Sequence, residues 1–155
     1  MMNAIRRNGA RRAALGAGTA LALAFLAGAP ARAAGADGAT ATIESARWEN
    51  GYGVKFFNVV GTVTNRSQQP LGAVQVRIEL VGADGKVVKS ADAWNASAEP
   101  LADASGDAAR KKLGEIHAKP IAPGGQDRFR MSFLEDETPK FDRQQARVVA
   151  TLPAQ

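Results

Sequence analysis

The chain has no cysteine and a single histidine, His117, among its 155 residues. Without a thiol there is no disulfide framework, no cysteine-ligated zinc or iron–sulfur centre and no thiol nucleophile, and one imidazole excludes any site that needs two. Aromatic residues are scarce, at 6%, with one tyrosine and two tryptophans. Long amphipathic helical periodicity, an alternating strand–helix rhythm and the Gly-x-Ser-x-Gly nucleophile motif are also missing. These absences lead to a non-enzymatic reading, with no cofactor and no metal.

What is present is unevenly charged. The formal net charge of +5 invites a nucleic-acid reading, but Arg6, Arg7, Arg11, Arg12 and Arg32 all lie before residue 34 and no acidic residue does. The rest of the chain balances acid against base, so no electrostatic footprint for nucleic acid remains in it. The basic excess belongs to a segment with the layout of an export leader. Arginines come first, then an apolar stretch from Ala13 to Ala29 carrying Leu21, Leu23, Phe25 and Leu26, then small residues at Ala31-Arg32-Ala33. Glycines dilute the apolar stretch below the roughly 20 strongly apolar residues of a spanning helix. The expectation is a signal peptide at 1–33, cleaved before Ala34, with no membrane span after cleavage and a periplasmic or secreted product. Arg11-Arg12 also fits a twin-arginine signal, and both export routes stay open.

After a short flexible segment at 34–39, a domain is expected over 40–155. Thr40–Trp48 is a strand candidate, and Glu49-Asn50-Gly51 supplies turn chemistry. Val54–Thr64 is the longest β-rich run and is partly apolar on both faces, which predicts a central strand, with Gly61 marking a bulge or a close backbone approach. Ala73–Val81 alternates Val74, Val76, Ile78 and Leu80 against Gln75, Arg77 and Glu79, the pattern of a half-buried antiparallel strand. Ala83-Asp84-Gly85 turns the chain back along Lys86–Ala91. The alternation then breaks at 95–112, which reads as an inserted loop with a short helix from about Asp107. Pattern resumes at Ile116–Ile121, turns at Pro123-Gly124-Gly125, and continues through Arg128–Leu134 and a last strand near Ala146–Leu152.

Short strands at turn-punctuated spacing predict an all-β fold, an antiparallel immunoglobulin-like β-sandwich of about six to eight strands. The run Val59-Val60-Gly61-Thr62-Val63-Thr64-Asn65, then Val74 to Leu80, Asp84-Gly85-Lys86-Val87-Val88, and Ile121-Ala122-Pro123-Gly124-Gly125 followed by Phe129 resembles the bacterial FxLYD-type domain over about residues 54–134. That resemblance implies an exported Ig-like sandwich with no established enzymatic activity and no catalytic residues to carry over. The chain departs from the pattern at Val81-Gly82-Ala83-Asp84, where the eponymous tyrosine–aspartate pair would stand, and in the 95–112 insertion.

Several features have plain readings. His117 has no sequence-local nucleophile partner and reads as a loop residue. Glu135-Asp136-Glu137 lacks the alternating ligands and glycine of a calcium loop, and Arg110-Lys111-Lys112 with Arg128 and Arg130 reads as a solvated face. Two Asn-x-Ser sequons, at Asn65 and Asn95, match a short pattern that often occurs by chance and carry little weight. Trp48, Tyr52 and Trp94 remain as candidate contact residues. Core packing is the first expectation for them, because aromatic rings supply large burial, and an exposed binding platform is the second. The functional expectation is an interaction module of the cell envelope whose partner is an unidentified envelope protein. The alternative is a glycan- or small-ligand-binding sandwich that uses those aromatics.

Overall fold

A computed structural model describes residues 33–34 and 38–155. The expected leader at 1–33, except Ala33, and residues 35–37 of the 34–39 segment lie outside the described residues. The chain forms β1 (Ala33–Ala34), β2 (Ala39–Gly51), β3 (Val54–Asn65), β4 (Leu71–Val81), β5 (Val87–Trp94), a 3₁₀ helix (Ala96–Leu101), α1 (Gly106–Glu115), β6 (Gln126–Leu134) and β7 (Arg143–Pro153). Six of these strands make two three-stranded antiparallel layers, β2-β3-β6 and β5-β4-β7, packed as a sandwich, and the two-residue β1 pairs with the edge of β2. No helix among the described residues is long and apolar enough to cross a membrane.

Strand alternation sets the core. Phe57, Val59 and Val63 of β3 and Phe129 and Phe133 of β6 point inward against Val74, Val76, Ile78 and Leu80 of β4, and all are buried. Burying each such side chain is worth roughly 1.5–3 kcal/mol relative to exposure. β3 lies between β2 and β6, as its two apolar faces predict. Gly61 is a point of close approach: a Cβ there would strike the Thr42 carbonyl oxygen and the Phe129 ring. Between Ile43 and Ser45 the register of β2 shifts by one residue. Side chains alternate with a period of two, so this bulge carries Ala46 and Trp48 onto the same inward face as Ala41 and Ile43.

The 95–112 segment differs most from its sequence reading. Expected as an inserted loop, it folds into the 3₁₀ helix and α1, which together cover the outer face of the second layer at one end. Ala98, Leu101, Ala109 and Leu113 pack there on Ala73, Trp94 and Leu152 as a second apolar cluster. Small residues do the work of large ones because the cap lies close to the sheet: at Gly72, a Cβ would meet Leu113 Cδ2 at 2.8 Å. The helix expected from about Asp107 begins at Gly106 and runs past Lys112 to Glu115. Ile116–Ile121, where the pattern resumes, is not a strand and contributes one isolated bridge, Leu71 to Ile121.

Candidate functional site

The two ends of the sandwich are built differently. At the end where β3 stops and β4, β6 and the cap begin, polar side chains tie the loops together. Asn65 is fully buried, and its Nδ2 donates to the Gln69 and Ile121 carbonyls at 2.8 and 2.9 Å while its Oδ1 accepts from the Ser67 amide and hydroxyl. Asn95, also fully buried, accepts from the Val74 amide at 2.7 Å and donates to Asp127 Oδ2 at 2.7 Å. Asp127 accepts further from the Ser97 amide at 2.9 Å and the Arg128 amide at 2.8 Å. Burial works to raise the Asp127 carboxyl, and these hydrogen bonds from Asn95, Ser97 and Arg128 overcome it and hold the group below the usual aspartate value. A charge-assisted knot of this kind joins β6 of one layer to the chain leaving β5 of the other.

The opposite end carries the β2–β3 hairpin, the β4–β5 hairpin and the 135–142 crossover. The crossover fixes their proximity: the Asp142 amide donates to the Val81 carbonyl at 2.9 Å, and Lys89 Nζ donates to the Glu137 carbonyl at 2.7 Å. Among the described residues the large apolar side chains left exposed are Trp48, Tyr52, Val54, Val87, Val88 and Leu134, and all six lie at this end. Exposed apolar residues scattered singly need no explanation, but a set gathered on one end of a small sandwich does.

Tyr52 occupies the tip of a two-residue hairpin loop between Gly51 and Val54, with φ of +52°, followed by Gly53 at +76°. Positive φ at both positions is the backbone of a type I′ turn, where asparagine or aspartate followed by glycine is the usual pair. A left-handed conformation costs a non-glycine residue about 1–2 kcal/mol, and the Tyr52 ring, fully exposed, recovers none of it by packing.

Behind the tip, Trp48 extends the inward face of β2 out of the sandwich mouth. Its ring lies 5.4 Å from Phe57 and 6.4 Å from Phe141, which in turn meets Phe57 edge-on at 4.8 Å. With Ala46 these rings floor a groove of about 550 Å³, rimmed by Glu135, Lys140, Asp142 and Gln144. Lys55 Nζ sits 5.0 Å from the Trp48 ring centre and pairs with Glu135 at 2.5 Å. The ring face on which a sugar would stack therefore already holds a cation.

Of the three aromatics singled out from sequence, Trp48 and Tyr52 come to the open end, Trp48 at 38% exposure. Trp94 is buried at the far side of the fold, beneath the cap. Phe141, Lys55 and Glu135 complete the groove; the sequence reading passed over Phe141 and Lys55 and took Glu135 only as part of an acidic loop. Phe141 is a lone aromatic in a polar crossover, and that contrast is the one signal that could have found it. No protein-family model, curated protein or solved structure matches this chain.

Proposed function

We propose that this protein is a non-enzymatic interaction module of the cell envelope, exported by its basic leader, with the immunoglobulin-like character that its resemblance to FxLYD-type domains implies. The observation that supports this reading is the gathering of every exposed large apolar side chain among the described residues at the two-hairpin end, with a strained, fully exposed Tyr52 at its tip. Residues held in sparsely populated backbone regions cluster at functional sites. Aromatic side chains are enriched at the centres of protein interfaces, and a protein partner is the occupant this surface suits best. The glycan alternative is less well supported, because Lys55 covers the ring of Trp48.

The test places a photo-reactive aromatic at the open end. With p-benzoylphenylalanine in place of Tyr52, irradiation of cells is expected to give a discrete adduct with one envelope protein. The same residue at position 111 on the cap is expected to give none. Equal labelling from both positions, or no adduct from position 52, would remove the reading.

A further inference from the structure

Outside the aromatic groove, a second cavity of about 340 Å³ lies where β6 meets the 3₁₀ helix, lined by Val60, Trp94, Ala96, Glu99, Arg128 and Arg130. Its volume falls within the range of small-ligand clefts, about 300–1,000 Å³. Three features of its wall point to one chemistry. Arg128 and Arg130 are two residues apart on the outward face of β6, so their Cα atoms are roughly 7 Å apart on the same side of the strand. Arg47, Arg77 and Arg147 each hold a carboxylate, whereas neither Arg128 nor Arg130 has one within ion-pair distance among the described residues. Val60 lies directly across from Arg130 in the ladder and, with the Trp94 indole, gives the cavity an apolar side.

The third feature is the Trp94 ring, whose indole nitrogen is shut off from solvent and so offers no donor to the cavity, which leaves the ring as an apolar wall. Trp94 itself is 6% exposed, so its position is set by the fold and not by solvent. Glu99, on the opposite lip, is the single acidic residue of the lining.

We propose that this cavity binds a small organic carboxylate with an apolar or aromatic body, the carboxylate held between Arg128 and Arg130 and the body resting on Val60 and Trp94. Arginine suits this role because its planar fork matches a carboxylate and it stays charged at all physiological pH. The site is independent of the open end, and the two proposals can fail separately.

The test uses the full chain and benzoate as the probe, read by the ¹⁵N indole resonances of its two tryptophans. Titration is expected to shift the Trp94 signal saturably and leave the Trp48 signal in place, with assignment from a Trp48→Phe variant. Arg128→Gln and Arg130→Gln together are expected to weaken binding about tenfold or more, each lost charge-assisted contact contributing. Glu99→Gln removes a like charge from the rim and is expected to tighten it, a gain that a damaged fold would not produce. Failure to saturate, a shift that survives the double arginine variant, or an equal response to uncharged benzamide would overturn the proposal. An equal response to inorganic phosphate would overturn the apolar part of it.

Discussion

One end of this sandwich hides its polar groups and the other shows its apolar ones. At the capped end Asn65, Asn95 and Asp127 satisfy loop amides and carbonyls that a short strand cannot reach, and the 3₁₀ helix and α1 add a second apolar cluster over Trp94 and Ala73. At the hairpin end the turns are tight, the side chains reach solvent, and the polar contacts are surface ion pairs such as Lys55–Glu135 and Lys89–Glu137. Exposed pairs of this kind are worth about 0–1 kcal/mol each. The contrast teaches that the polar groups that tie the loops together and the apolar side chains open to solvent lie at opposite ends of the sandwich.

The sharpest way to break that division is to cut the capped end. Asn65→Ala removes partners from the Ser67 amide and from the Gln69 and Ile121 carbonyls in a fully buried position. The Gln69 and Ile121 carbonyls each keep a second donor, the Ser67 hydroxyl and the Leu71 amide, so the loss falls on the Ser67 amide and the buried bonds themselves. It is expected to cost up to about 3 kcal/mol, read as a shift in urea midpoint at unchanged slope. Leu134→Ser, at the open end and 42% exposed, is expected to change stability by less than about 0.5 kcal/mol. Comparable losses from the two variants would show that the ends are energetically alike and erase the comparison.

A smaller effect sharpens it through pH. The Asp127 carboxyl is depressed in the folded protein, so the unfolded chain binds its proton first as the solution is acidified. Its contribution is therefore fully present above the unfolded value, near pH 4, and is lost as pH falls through the folded value. Asp127→Asn turns one acceptor into a donor that faces the Asn95 amide and the Ser97 N–H, and is expected to cost about 1–2 kcal/mol at pH 7. The gap between the two proteins should begin to narrow below about pH 4, where the unfolded chain takes up its proton, and close once pH has fallen through the lower folded value. A gap that stayed constant through acid would mean that the knot does not depend on charge.

How far this division could be read from residues alone depends on which physical signal carries each part. Alternation at Val74, Val76, Ile78 and Leu80 and the doubly apolar run from Val54 made the strands legible, because burial imposes a period of two wherever one face meets a core. The cap was not legible: two of its four buried side chains, Ala98 and Ala109, are alanines, which carry little hydrophobic contrast, and Leu113 settles on the sheet where Gly72 leaves it room. The aromatic groove was half legible. Trp48 and Tyr52 stood out by rarity, but the bulge at Ile43–Ser45 that turns Trp48 inward has no signature in composition, and Phe141 reaches Trp48 only through the crossover. The polar knot was invisible for a similar reason, since Asn65, Asn95 and Asp127 resemble ordinary loop residues until distant strands bring partners to them.

The smallest expected effect carries the opposite sign and bears most directly on the open end. If Tyr52 is kept for contact and not for folding, replacing it with a residue suited to its backbone should stabilise the protein. Tyr52→Asn creates Asn-Gly, the pair a type I′ turn favours, at a position of φ +52°. Relief of the left-handed penalty is expected to add about 1 kcal/mol, seen as a rise in Tm of a few degrees for a domain of this size. The same variant should lose the envelope contact assigned to this end, so that stability and capture move in opposite directions. A variant that binds less and is also less stable would instead mean that the ring supports the hairpin. The exposed end would then be a weaker version of the capped one and not its functional counterpart.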